Sequence, residues 1–498
     1  MRNEARTKHM TDSHTVVEHR TLFIGGRWAE PAGRDTIEVI SPVTERVVGR
    51  VPHATPEDVD LAVAAAREAF DHGPWPRLPL KERIEVVTRI KDALAARHQE
   101  LAELITLQNG SPMLFSVRGQ ALSAVGTFGV AIAAAGRIQE EEEREGTGGP
   151  VLVRREPVGV VAAITPWNVP QLTIAGKLAP ALLAGCAVVL KPSPETPLDA
   201  LWLAQVCADA GLPEGVLSVL PADRETSSYL VAHSGIDKVA FTGSVGAGKA
   251  IAAAAARNLT RVSLELGGKS AAILLDDADL AVAVPAIVGG TCAANSGQAC
   301  VALTRILVPA ARYDEVAAVL TGAFAGLKVG DPSDPGTVVG PMVTRKQQER
   351  NLDYIRIGQE EGAKVLTGGG VPSGLTTGWY VEPTLFGDVT NEMRIAREEI
   401  FGPVVCLIRY ETEDEAVALA NDSEFGLSGA VFGADEERAT EVARKVRTGT
   451  ITVNGFRLDL AAPFGGYKNS GIGREFGPEG LAAYFEYKTV NLPAPANA

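Results

Sequence analysis

From Val158 onward the chain alternates short, fully apolar runs with longer helical patterns, and this alternation constrains the fold more than any other feature. Val158 to Ile164, Ala187 to Leu190, Val216 to Leu220 and Lys238 to Phe241 read as buried strands, with helices expected over 171–184, 197–211, 224–233 and 246–257. Strands that are apolar on both faces and separated by helices predict a parallel sheet covered on both sides. A second α/β region starts near Gly267, with strand patterns at Ala271 to Leu275, Thr304 to Val308 and Val404 to Tyr410. A chain of 498 residues exceeds one ordinary core, so two or three domains are expected.

Upstream, residues 1–20 carry no periodic pattern and are expected to form a flexible tail. Thr55-Pro56-Glu57-Asp58 has the makings of a helix start: a capping hydroxyl, a proline in the first turn, then acids facing the helix dipole. Further helices are expected from Leu80 to Gln108 and from Ser116 to Ile138. The acidic run Glu140 to Glu143 leads into Gly146-Thr147-Gly148-Gly149-Pro150 and the alternating segment Val151 to Arg155, which predicts a hairpin standing off the main body.

Composition narrows the partners. A net charge of −14 repels polyanions, so no nucleic-acid partner is expected. The five cysteines (186, 207, 292, 300, 406) lack paired C-x-x-C spacing, which argues against zinc or a disulfide framework and for a reducing cytoplasm. The first twenty residues hold no apolar run for a signal sequence, and no uninterrupted apolar stretch approaches the roughly 20 residues of a membrane span.

The chemistry-bearing residues sit in turn-like clusters. Asn295-Ser296-Gly297-Gln298-Ala299-Cys300 presents a soft nucleophile, and Leu264-Glu265-Leu266-Gly267-Gly268-Lys269 presents a carboxylate that can act as a base. Each alone has a plainer explanation, since free cysteines are commonly buried apolar residues and glutamates commonly solvated. Phe241-Thr242-Gly243-Ser244 opens a helix with the glycine that lets a backbone approach phosphate. The same stretch mimics a P-loop through Gly243, Gly248 and Lys249, but Ala250 lacks the hydroxyl that would hold Mg²⁺. Thr165-Pro166-Trp167-Asn168 and Lys191-Pro192-Ser193 follow two successive strands, where ligands of open α/β sheets bind. Glu399-Ile400-Phe401-Gly402-Pro403 and Pro463-Phe464-Gly465-Gly466-Tyr467-Lys468 would each pass as loop punctuation.

In order and spacing, these seven clusters resemble the aldehyde dehydrogenase superfamily, in its hydrolytic NAD(P)-dependent branch, over residues 21 to 490. The resemblance implies an α/β protein with a Rossmann-like coenzyme domain from 1–138 and 158–266, a catalytic domain over 267–473, and a small β oligomerisation arm from 139–157 and 474–498. It implies that Cys300 attacks an aldehyde, that Asn168 steadies the oxyanion and that Glu265 activates water against a thioester. It places Thr165, Trp167, Lys191, Gly243, Ser244, Glu399 and Phe401 at NAD, and Phe464 in the aldehyde tunnel, with no metal. A homodimer or homotetramer is expected, because an unpaired arm would expose strand edges.

Three other roles compete. A CoA-acylating relative would waste its thioester on water activated by Glu265, a purely structural relative has no use for the intact Cys300, Glu265 and Asn168, and a P-loop ATPase fails at Ala250. Thr173 and Gly176 stand at tunnel positions where many relatives carry larger side chains, and Ala299 and Val301 flank the nucleophile. A wide apolar tunnel would suit a bulky aromatic or terpenoid aldehyde, unless neighbouring loops refill the space. Arg457 instead would suit the carboxylate of a semialdehyde. In NAD-preferring relatives a glutamate often follows the lysine by three residues; here Pro194 takes that position and the acid comes at Glu195. NAD is therefore expected with only modest discrimination against NADP.

Overall fold

The computed structural model describes residues 16–493. Its centre is an eight-stranded sheet whose five parallel strands run in the order Arg261–Glu265, Lys238–Thr242, Val160–Ile164, Ala187–Lys191, Leu217–Val219. Antiparallel pieces close both edges: Gly471–Ile472 beside Glu265, and the Leu22–Ile24/Arg27–Ala29 ribbon at the far side. The helices Pro170–Ala184, Leu198–Asp209, Arg224–Ala232 and Val245–Ala255 connect the parallel strands. Chain order runs one way from Val160–Ile164 and resumes on its other side with Lys238–Thr242. The crevice at the carboxyl ends of these two strands is the switch point where such sheets bind ligands.

A second, seven-stranded sheet carries Ala271–Leu274, Arg305–Pro309 and Val404–Tyr410 near its centre, all parallel. The third sheet has three antiparallel strands: the hairpin Glu141–Gly146/Gly149–Pro157 and, along its second strand, Phe485–Asn491.

Several local expectations change. The strand Arg261–Glu265 does not stand out in the sequence, because Arg261, Ser263 and Glu265 break its apolar run. The helix expected from Leu80 to Gln108 is two helices, Leu80–Ala96 and His98–Asn109, because Arg97 leaves helical geometry at φ −116°, ψ 20°. Residues 17–18 pair with Val47–Pro52 as a short strand instead of belonging to a tail, and the rest of that expected tail, 1–15, lies outside the described residues. Thr55 caps Pro56–Asp71 with Asp58 reciprocating, as the sequence predicts. The segment Met113–Ala135 is helical throughout and is long and apolar enough by composition to cross a membrane. Here it packs on Leu80–Ala96 and Pro170–Ala184 and buries Ala121, Ala124 and Phe128.

Candidate active site

The cysteine loop is held by backbone strain and by polar ties. Asn295, Ser296 and Gly297 all take left-handed φ values of 50°, 59° and 77°, a costly run that persists only where the surroundings enforce it. A Cβ on Gly297 would stand 2.3 Å from the Gly402 carbonyl oxygen. Ser296 Oγ accepts from Gly340 N at 2.8 Å, and Gln298 Oε1 accepts from Val343 N at 2.9 Å. The run before Cys300 is thus a fixed turn that delivers the thiol half-buried into a cleft. That cleft is about 290 Å³ and is walled by Trp167, Asn168, Gly243, Ser244, Glu399 and Phe401 among others.

Asn168 is buried, and its Nδ2 donates one N–H to the Gln298 carbonyl at 2.9 Å. An amide nitrogen carries two hydrogens, so the second remains for an oxyanion beside Cys300. Asn295 Nδ2 donates to the Asn168 carbonyl at 2.8 Å, and Asn109 Nδ2 to that of Trp167 at 2.5 Å. Ser111 hydrogen-bonds both of these asparagines. Nothing local in the sequence marks Asn109 or Ser111, which come from a distant helix end.

Glu265 ends its strand with 2% of its surface exposed, and neither carboxylate oxygen has a hydrogen-bond partner. Gly465 packs on it: a Cβ there would stand 2.8 Å from Oε1. Burial holds the Glu265 carboxyl well above the usual range, the Glu475 carboxylate adds to this, and Lys177 and Arg474 oppose it. Lys177 is fully buried and donates to Glu475 Oε1 at 2.5 Å and to Thr242 Oγ1 at 2.6 Å. Sequence reading missed this pair, since its members lie far apart along the chain. Burial, then the Glu399 and Glu265 carboxylates, push the Cys300 thiol up to about 12. At neutral pH it therefore rests as the thiol, and a base must take its proton.

The same crevice fits a dinucleotide. Ser244 caps the helix Val245–Ala255 by accepting from Ala247 N, and a Cβ on Gly246 would meet nothing within 4 Å, so this helix N-terminus is open to an anion. Lys249 of the P-loop look-alike is exposed and lines neither this cleft nor the pocket around Lys191. Glu399 Oε1 accepts from Gly268 N at 2.8 Å, and burial pushes its carboxyl up to about 7. Phe401, at φ +70°, sets its ring edge-on to Trp167 with centroids 5.3 Å apart. A second pocket of about 290 Å³ is lined by Lys191, Ser193, Glu195 and Arg224 among others. Burial lowers the Lys191 ammonium to about 8. Glu195 does face this pocket despite its one-residue offset, and it accepts a hydrogen bond from Ser193. Thr165 lies between the two pockets, lining neither, with its buried hydroxyl unpaired.

On the apolar side, Leu427, Phe464 and Phe476 form a buried cluster against which Leu172, Cys300, Val301, Leu458 and Leu460 pack. Thr173 turns its hydroxyl back on the Val169 and Pro170 carbonyls, at 3.0 and 2.9 Å. The room expected at Gly176 is not open, because the Phe476 ring fills it: a Cβ on Gly176 would stand 2.9 Å from Phe476 Cε1. Arg457 is exposed, with no hydrogen bond or ion pair among the described residues.

Comparison with known proteins agrees with this chemistry. Residues 28–490 match the model of the aldehyde dehydrogenase family. A geranial dehydrogenase from Castellaniella defragrans is 49% identical over 96% of this chain and 99% of its own. A 3-succinoylsemialdehyde-pyridine dehydrogenase from a Pseudomonas species is 44% identical over 95% of this chain and 98% of its own. An aldehyde dehydrogenase of Mycobacterium tuberculosis complexed with NAD⁺ superposes with a TM-score of 0.95 at 47% identity, covering 97% of this chain and 100% of that one. A mutant aldehyde dehydrogenase C from Pseudomonas syringae, complexed with NAD⁺ and octanal, gives 0.93 at 43% identity, covering 99% and 100%. A cysteine and an unpaired buried carboxylate beside a dinucleotide crevice are what NAD-linked aldehyde oxidation needs, and with a match spanning nearly the whole sequence the chain belongs to the aldehyde dehydrogenase family.

Proposed function

We propose that this enzyme oxidises bulky apolar aldehydes, aromatic or terpenoid, to their acids through a thioester on Cys300. Cys300 Sγ loses its proton to solvent water and bonds to the aldehyde carbon, giving a thiohemiacetal whose oxyanion takes hydrogen bonds from Asn168 Nδ2 and the Cys300 N–H. Bound NAD supplies the acceptor for the hydride that leaves that carbon. Glu265 then removes a proton from water, the water oxygen bonds to the acyl carbon, and the C–S bond breaks to release the acid and a thiolate, which takes the proton from Glu265 and restores both groups. The observation that carries this scheme is Glu265 itself, a buried carboxylate with both oxygens free, which has no structural partner to explain it. The same base makes water the acceptor instead of CoA.

In this scheme Trp167 and Ser244 would hold the pyrophosphate, with Gly243 giving the backbone room and Thr165 beside them. Lys191 would hold the adenosine ribose and Glu399 the nicotinamide ribose, with Phe401 beside the ring. The apolar cluster around Cys300 and the likeness to a geranial dehydrogenase support the substrate class. The free Arg457 and the succinoylsemialdehyde-pyridine relative favour a second reading, a semialdehyde whose carboxylate pairs with Arg457. The hairpin 139–157 with Phe485–Asn491 serves as an arm between subunits of a dimer or tetramer, and five free cysteines suit a reducing cytoplasm.

NADH absorbance with NAD, citral and no CoA tests the reading. Citral should give a higher kcat/KM than acetaldehyde, since each buried CH₂ contributes roughly 0.8 kcal/mol. A higher value for acetaldehyde, or for succinic semialdehyde, would reject the apolar assignment.

A further inference from the structure

Phe476 occupies its place at a cost that the chemistry at Cys300 does not require. Its backbone is left-handed, φ +57° and ψ 172°, a conformation that a bulky L-residue rarely takes. The neighbouring residue fixes this turn: Phe464 and Glu475 exchange both backbone hydrogen bonds at 2.7 Å. Phe476 thereby comes to lie beside Phe464, with ring centroids 5.7 Å apart. Across from it, the helix Pro170–Ala184 keeps a glycine at a fully enclosed position, which a helix interior disfavours. The two costs have one explanation. A Cβ on Gly176 would stand 2.9 Å from Phe476 Cε1 and 3.3 Å from Glu475 Oε2, so helix and turn share a single volume and the ring has it.

We infer that Phe476 is the specificity-determining wall of the aldehyde site, supplied by the turn after Gly473 in the space that Gly176 vacates on the helix. This rests on the assignment of the apolar cluster around Cys300 as the aldehyde side. A wall hung on a turn differs from one built into a helix. Its ring lies against Gly176, so an atom added at 176 displaces the ring. The preceding residue, Glu475, pairs with Lys177, so the position of the ring is tied to the charges that surround Glu265.

The test is a double-mutant cycle with acetaldehyde, hexanal and citral as substrates. Gly176→Ala should lower kcat/KM for citral about tenfold or more while changing acetaldehyde little, as a misplaced methylene does in an apolar pocket. Phe476→Ala should flatten the preference between citral and acetaldehyde. Gly176→Ala with Phe476→Ala should recover most of the citral loss, because the clash is gone. Losses that multiply in the double variant, or that fall equally on all three aldehydes, would overturn the inference. If Gly176→Ala no longer binds NAD and has misfolded, Phe476→Leu decides: a changed citral-to-acetaldehyde ratio supports the wall and an unchanged ratio rejects it. Failure of the site assignment looks different, since it would show as full activity in Cys300→Ser whatever stands at 476.

Discussion

Gly268 is packed so closely on the nucleophile loop that a Cβ on it would stand 2.1 Å from the Cys300 carbonyl oxygen. Backbone meets backbone here, so no side chain can swing aside. The N–H of the same glycine is spent on Glu399 at 2.8 Å. One residue thus sets the distance between the thiol and the proposed nicotinamide-ribose carboxylate.

Gly268→Ala should therefore displace Cys300 and lower kcat by about a hundredfold, the cost of roughly an ångström of misplacement at a reacting atom. Steady-state kinetics beside thermal melting checks this. A near-normal kcat would mean that the loop has slack the packing does not suggest.

Glu265→Gln should still release a burst of NADH and then turn over slowly, because the thioester forms but its hydrolysis lacks a base. Rapid mixing distinguishes this from loss of the first step. Steady turnover at the wild-type rate would remove Glu265 from the scheme.

The same variant makes a stability prediction. In an unfolded chain Glu265 titrates at about 4.3, whereas burial holds it well above that in the folded enzyme. Between those two values folding takes up a proton, so Glu265 destabilises the fold increasingly as pH rises through that window. Glu265→Gln should melt higher than wild type near pH 8, and the difference should shrink toward pH 4. A difference independent of pH would contradict the burial argument.

The parallel sheets were legible because fully buried strands read as unbroken apolar runs between turn residues. The seven clusters gave the resemblance, and with it the expected site. What stayed hidden depends on contacts across the sequence. Arg261–Glu265 does not read as a strand because polar residues at alternate positions, two of them buried, break its apolar run. The Lys177–Glu475 pair and the support of Asn168 by Asn109 and Ser111 join residues that only the fold brings together. Gly176 shows the limit most clearly: the missing side chain was visible in the sequence, but not the phenylalanine that fills its room.

Coenzyme choice turns on Glu195, which shares a pocket with Lys191 and the exposed Arg224. The cations attract a 2′-phosphate and the carboxylate repels it, so kcat/KM should favour NAD by less than about a thousandfold, roughly 4 kcal/mol. Glu195→Gln should narrow that ratio, and Arg224→Ala should widen it. The kcat/KM values for both coenzymes decide this, and an unchanged ratio in both variants would place selectivity elsewhere.

The central claim is that Cys300 carries the substrate, and Cys300→Ser tests it most directly. Turnover of citral with NAD, followed at the NADH band, should fall at least about a thousandfold while NAD affinity stays close to wild type. Activity within about tenfold of wild type would contradict the account, because an alcohol in this buried setting cannot replace a thiol as the nucleophile.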